Sequence, residues 1–272
     1  MELFSGTKSV GKAFERLGWD VVSVDISGQH RPTHKVDVRL FDYKAHYRKG
    51  DIHFVWGSPP CTEYSRAMTK NRPRDLMGAD ELVQITKDII DYYECPFAFE
   101  NPQSGLLKTR DVVEDVPFSD TSYCKYGYKY RKNTRTWHSL GDYLEMRPMC
   151  SLRDPCDAVR AHCKRLMTAQ RGPSNHADGT RIKDDTCSLN QLHSLPPQLC
   201  DDIALAADIA HCINDTRRTL HLLLEVPPRS VKRGMFPTRV NPSYEQLLKE
   251  VGRVKRSDFD GLVNKGEGPS TT

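Results

Sequence analysis

The sequence lacks any long apolar run and any stretch with the charged, apolar and small-residue order of a signal peptide. No membrane partner is therefore expected, and a soluble intracellular protein is the default. A strong charge excess is also missing. The 40 basic and 36 acidic residues leave a net +4, too little to argue for a nucleic-acid partner alone. No GxGxxG occurs, so the nicotinamide fingerprint is unmatched. The nine cysteines are odd in number and scattered, which speaks against a disulfide framework and for catalytic or metal roles. What remains is a 272-residue chain, long enough for one catalytic domain with an appendage. A monomer is the default assembly.

The most informative stretch is GSPPCTEYS, residues 57–65. The apolar run His53-Phe54-Val55-Trp56 before it reads as a strand buried on both faces. Gly57, Pro59 and Pro60 end that strand, because proline cannot donate to a ladder and glycine frees the backbone. Cys61 then sits on a stiff loop leaving the carboxyl end of a central strand, where open α/β sheets place ligands. A free thiol is only slightly ionised at neutral pH, so a nucleophile here needs help from its surroundings. A loop cysteine that merely follows two prolines is the competing reading.

Around this loop the chain reads as β-α-β units. Glu2-Leu3-Phe4 predicts a strand, Val10, Ala13, Phe14 and Leu17 a helix stopped by Gly18, and Val21 to Asp25 a second strand. The two strands should be parallel, with a right-handed crossover. Gly6 lets the backbone approach a ligand, and Asp25 follows it by 19 residues, near the spacing at which a carboxylate accepts from ribose hydroxyls. A third short strand is expected around Val36-Asp37-Val38. Leu82, Ile85, Ile89 and Tyr92 mark a helix ended by Pro96, and Phe97-Ala98-Phe99-Glu100 the next buried strand. Glu100 should stand level with Cys61, as a buried carboxyl in need of a partner or a proton.

Phe4-Ser5-Gly6, Pro59-Pro60-Cys61 and Glu100-Asn101-Pro102, in that order, resemble the motifs of the DNA cytosine-5 methyltransferases. The likeness is to the compact enzymes of phages and large DNA viruses, and it covers residues 1–140. It implies an α/β fold with a mostly parallel, Rossmann-like sheet and a small irregular second lobe. It also implies S-adenosylmethionine as cofactor, held by Phe4, Gly6, Asp25, Asp37 and Pro60, and double-stranded DNA as partner. By the same resemblance Cys61 is the nucleophile that adds to cytosine, and Glu100 holds the base. Pro102 departs from the family's apolar residue at that place. Aligning the family's Gln-x-Arg-x-Arg strand on its last arginine puts Arg135 at the cytosine oxygen, with Arg131 and Asn133 replacing the other two.

Residues 66–78 carry Arg66, Lys70, Arg72 and Arg74, either a solvated loop or a set of phosphate contacts. Residues 121–137 alternate aromatic and basic side chains, predicting a hairpin turning near Gly127; this suits nucleic-acid contact, with Arg131 on the DNA side, or else is an ordinary strand. Farther on, Cys150, Cys156, His162 and Cys163 form a weak zinc candidate whose spacing matches no common finger. The domains expected are a catalytic domain over 1–144, a small recognition or closing lobe over 145–212, and a basic, partly disordered extension over 213–272. Leu199, Ile203, Ala206, Ala207, Ile209 and Ala210 predict a helix after Pro196-Pro197. The family's Asn-bearing closing motif is not found. Two further readings stay open: the same chemistry on RNA, and a catalytically inactive DNA-binding relative.

Overall fold

A computed structural model describes residues 1–66, 72–128, 130–157, 167–168 and 193–225, the side chains of 167–168 and 217–225 excepted. The chain divides into two compact units, Met1–Ala207 and Asp208–Thr272.

The first unit is built on a seven-stranded mixed sheet. Strand β1 (Glu2–Leu3) turns into helix α1 (Ser9–Arg16) and returns as β2 (Ser23–Asp25). Next come β3 (His34–Lys35), the short helix α2 (Tyr43–His46), β4 (Val55–Gly57) and helix α3 (Leu76–Tyr93). β5 (Phe97–Pro102), β6 (Phe118–Ser122), β7 (Tyr130–Arg131) and β8 (Asn133–His138) follow. The sheet order is β3-β2-β1-β4-β5-β8-β6. Its first five strands are parallel, and β8 runs antiparallel between β5 and β6. A separate parallel pair joins β7 to β9 (Met167–Thr168).

The centre of the sheet is buried on both faces, as its near-continuous apolar strands require. Leu3, Val55 and Phe99 are fully buried, and Phe99 stacks on Trp137 with ring centroids 5.4 Å apart. Helix α3 covers one face through Ala79, Val83, Thr86, Ile89, Ile90 and Tyr93. Leu82, Ile85 and Tyr92, expected to lead this stripe, lie at its half-buried margin. The helix comes close because Gly57 has no side chain. A Cβ there would stand 3.0 Å from Thr86 Cγ2 and 3.3 Å from the Phe99 Cβ.

Two expectations need correction. The third strand lies at His34–Lys35, not around Asp37. The Asp37 carboxylate accepts the Arg39 amide at 3.0 Å and caps the turn Val38–Leu40, which bends the chain out of the sheet. The aromatic members of 121–137 are core, not a nucleic-acid face: Tyr123, Tyr126 and Tyr130 are all buried. The hairpin legs are β6 and β8, and a 3₁₀ turn over Tyr123–Tyr126 breaks the alternation before Gly127 takes a positive φ of 83°.

Helix α4 (Pro197–Glu225) begins in the first unit, where Leu199, Ile203, Ala206 and Ala207 are buried. Arg16 of α1 pairs with Asp201, and the Leu195 amide donates to Ser9 Oγ at 3.3 Å. Of the second unit, the described part is the end of α4 from Asp208, with Ile209, Ala210 and Ile213 buried. The greater part of the basic extension lies outside the described residues. No described helix is long and apolar enough to cross a membrane.

Candidate active site

β1, β4 and β5 lie side by side in register, Leu3 beside Gly57 and Gly57 beside Phe99. The first two motifs leave the sheet at this level, at the carboxyl ends of β1 and β4, while Glu100-Asn101-Pro102 continues in β5 beyond its parallel neighbour, paired with β8. A cavity of about 780 Å³ runs along these ends, within the size range of small-ligand sites. Phe4, Gly6, Asp25 and Asp37 line one part of it; Pro60, Cys61, Glu100 and Asn101 line another.

At the first part, Phe4 and Gly6 take positive φ values of 53° and 44°, so the chain after β1 coils tightly. This brings the Gly6 amide to Asp25 Oδ2 at 2.8 Å, while the Ser27 amide donates to Oδ1 at 2.7 Å. The carboxylate is fixed in orientation, and each oxygen keeps a lone pair for a further donor. That is the chemistry a ribose diol needs, so the residues fit a nucleoside cofactor. Phe4 offers an apolar ring beside it, and Asp37 a second carboxylate.

At the other part, Glu100 is 7% exposed and Asn101 1%. Asn101 Nδ2 donates to the Pro59 carbonyl at 2.9 Å, locking the cysteine loop to β5. Burial pushes the Glu100 carboxyl above its ordinary range, with Lys132 pulling against it. Oε2 of Glu100 has no hydrogen-bond partner among the described residues. Burial also raises the Cys61 thiol; Glu100 adds to that and Lys132 opposes it. The site thus holds a carboxyl inclined to keep its proton, a half-buried thiol, and one cation that favours the anion of each.

The cysteine loop is clamped on its far side. Tyr64 is fully buried and its hydroxyl donates to Asp80 at 2.8 Å, where Arg110 also binds through Nε at 2.9 Å. Arg74 Nη1 donates to the carbonyls of Glu63 and Ser65 at 2.6 and 2.7 Å, and Arg72 pairs with the Glu63 carboxylate. These two arginines, expected on phosphates, hold the loop together instead. Arg66 and Arg131 do line the cavity and are exposed. Lys70 lies outside the described residues.

Arg135 is not a lining residue. Its Nε and Nη2 donate to the two oxygens of Asp120, both at 2.8 Å, and its guanidinium lies 3.5 Å from the Phe118 ring centroid. The cation at the thiol is Lys132, which the sequence alignment passed over. A basic side chain three residues before Arg135 was the available signal. On the other rim, His193 lines the cavity, and the Ser194 and Tyr128 hydroxyls are 2.8 Å apart. The segment before α4 thus reaches the site without an asparagine motif.

The zinc candidates also regroup. Cys150 and Cys156 lie close to Cys124, their sulfurs within 4.8 Å of one another. His162 and Cys163 lie outside the described residues.

A mostly parallel sheet with a carboxylate ending β2, a thiol after β4 and a carboxyl near the end of β5 has the architecture of the Rossmann-like S-adenosylmethionine-dependent methyltransferases. No protein-family model matches the chain. A probable DNA (cytosine-5)-methyltransferase of Frog virus 3 (isolate Goorha) is 31% identical over 170 residues, covering 57% of this chain and 76% of that protein. The chain belongs to the DNA (cytosine-5)-methyltransferase family: it is a cytosine-5 methyltransferase. A crystal structure of a Spodoptera frugiperda DNMT2 mutant is similar at a TM-score of 0.36 and 13% identity, over 62% of this chain and 60% of that one. A likeness that distant has no bearing on the site.

Proposed function

We propose that the protein methylates carbon 5 of cytosine in DNA, through a covalent adduct of Cys61. The observation that carries this reading is the single cavity uniting the fixed Asp25 carboxylate with Cys61 and Glu100. S-adenosylmethionine, when bound, supplies an electrophilic methyl group, and Phe4, Gly6, Asp25, Asp37 and Pro60 are the residues to hold it. Everything else is asked of the chain.

Carbon 5 of cytosine is a weak nucleophile because its electrons belong to an aromatic ring. Cys61 thiolate adds to carbon 6, forming a carbon–sulfur bond and moving an electron pair toward carbon 5. Glu100, whose carboxyl burial pushes upward, donates its proton to ring nitrogen 3 and takes up the charge that would otherwise build there. Lys132 stabilises the thiolate before attack. Once carbon 5 has been methylated, a base removes its proton, the ring double bond re-forms and the carbon–sulfur bond breaks. Cys61 leaves as thiolate, and ring nitrogen 3 returns its proton to Glu100. A base inside a duplex must swing out of the stack to reach the thiol. The name of the viral relative supports DNA as the substrate, and Arg66 and Arg131 on the rim suit a phosphate backbone.

The test is methyl transfer to matched DNA and RNA oligonucleotides, with bisulfite sequencing of the product. DNA should be methylated at carbon 5. Cys61→Ser should lose turnover by several orders of magnitude while binding S-adenosylmethionine as before. Transfer to RNA alone would reassign the substrate, and a Cys61→Ser variant with substantial turnover would remove the adduct.

A further inference from the structure

Outside the active site, the described residues hold one group of thiols close enough to share an ion. Cys124 lies in the 3₁₀ turn after β6, and Cys150 and Cys156 lie in the segment beyond β8. Nothing in the spacing links the first to the others, yet all three sulfurs fall within 4.8 Å of one another. We propose that Cys124, Cys150 and Cys156 bind a zinc ion that staples this segment to the wall of the active-site cavity.

Tetrahedral zinc holds thiolates at about 2.3 Å, which sets them roughly 3.8 Å apart. The observed spread needs only about an ångström of inward movement. Three thiols in one place suit a soft divalent ion better than a disulfide, which would use two and strand the third. The Cys156 amide donates to Cys150 Sγ at 3.4 Å, the outer hydrogen bond that favours a thiolate over a thiol. Cys124 and Cys156 are buried, as a structural centre requires. The fourth position of the tetrahedron is left to a further donor.

The surrounding bonds show what such an ion would hold. The Cys150 amide donates to Ser122 Oγ at 3.0 Å, and that hydroxyl donates to Asn133 Oδ1 at 2.7 Å. Asn133 lines the cavity next to Lys132. Lys125, beside Cys124, pairs with Asp154 at 2.6 Å, and the Arg147 amide donates to the Tyr126 hydroxyl at 2.9 Å. The thiol cluster is thus the crossing point between the segment over 147–156 and the turn that feeds β8.

The experiment uses the full chain, purified from zinc-supplemented cells without chelator. Elemental analysis should find about one zinc per chain, and Cys156→Ser should lose most of it. If that variant does not fold, the wild type still decides. Alkylation mapped by mass spectrometry, with and without a strong chelator, should show Cys124, Cys150 and Cys156 becoming reactive together only after chelation. Hydrogen exchange at 122–126 and 133 should quicken in the same sample. Cobalt in place of zinc should give thiolate-to-metal absorption and a tetrahedral visible spectrum. Zinc-free protein, alkylation indifferent to chelator, or a disulfide between any two of the three would each overturn the proposal. None of these readouts depends on methyl transfer.

Discussion

The side-chain amide of Asn101 reaches 2.9 Å to the carbonyl of Pro59 and so ties the loop that carries Cys61 to the strand that carries Glu100. One residue after the carboxyl is bonded to a residue two before the thiol, and Asn101 is itself only 1% exposed. The bond therefore acts on geometry, since Asn101 leaves the proton transfers to its neighbours.

Asn101→Ala should strand the Pro59 carbonyl and cost about 1–3 kcal/mol of stability. If the thiol drifts by an ångström, kcat should fall on the order of 10²-fold. Affinity for S-adenosylmethionine, measured by calorimetry, should stay within about threefold, because Phe4, Gly6, Asp25 and Asp37 stand outside the cysteine loop. A matching loss of cofactor affinity would mean that the variant has damaged the whole sheet end.

Lys132 acts on the thiol and the carboxyl, whereas Arg135 is engaged with Asp120, and variants separate the two. Lys132 lowers both the Cys61 thiol and the Glu100 carboxyl. Lys132→Met should therefore move both upward, carrying the activity profile to higher pH and slowing iodoacetamide at Cys61 near neutrality. Lys132→Arg should restore much of the profile. Arg135→Met should leave the profile in place but break the two bonds to Asp120, costing roughly 1.5–3 kcal/mol by urea denaturation. The reverse pattern would return the catalytic cation to Arg135.

Why the sequence singled out Cys61 and Glu100 but not Lys132 has a physical reason. Cys61 follows a short apolar strand ended by two prolines, and Glu100 closes the apolar run of another just before Asn-Pro. Parallel neighbours in register then bring such ends together with no further information. Asp25 was legible for the same reason. Lys132 depends on a turn whose four 3₁₀ residues break the period of two, so alternation and alignment on one arginine both mislead. Cys124 was hidden more deeply. Its neighbours Cys150 and Cys156 come to it only through the packing of β6, β8 and the chain beyond. The arginines at 72 and 74 illustrate a third limit: charge in a loop does not say whether its partner is a phosphate or the loop itself.

That last ambiguity has a direct measurement. Arg72 and Arg74 are engaged with Glu63 and two carbonyls, whereas Arg66 and Arg131 stand exposed on the cavity rim. Replacing Arg66 and Arg131 by Gln should flatten the dependence of log DNA affinity on log salt by up to about two units. Replacing Arg72 and Arg74 should leave that slope within about half a unit and reduce kcat through a loosened cysteine loop. A flattened slope in the second variant would show that these arginines leave Glu63 for phosphate when DNA arrives.

The start of β1 carries a charge problem that stability measurements can expose. Glu2 is 4% exposed, and burial pushes its carboxyl up to about 7, although the Val10 and Gly11 amides pull against that. The unfolded chain releases this proton near the ordinary value of 4.5. Between those values the folded state holds a proton that the unfolded state has lost, so stability should fall as pH rises through the window. It should be complete below about 4.5 and level off above about 7. The shift corresponds to about 3 kcal/mol. Glu2→Gln cannot ionise and should remove this slope, so its stability relative to wild type should improve by about that amount between pH 4.5 and pH 8. Urea denaturation of both proteins across that range checks it; most other titrating groups cancel in the difference, the buried Met1 ammonium, electrostatically linked to Glu2, being the exception. A flat difference would mean that Glu2 reaches water, and that the strand leading into the Phe4–Gly6 turn is looser than its burial implies.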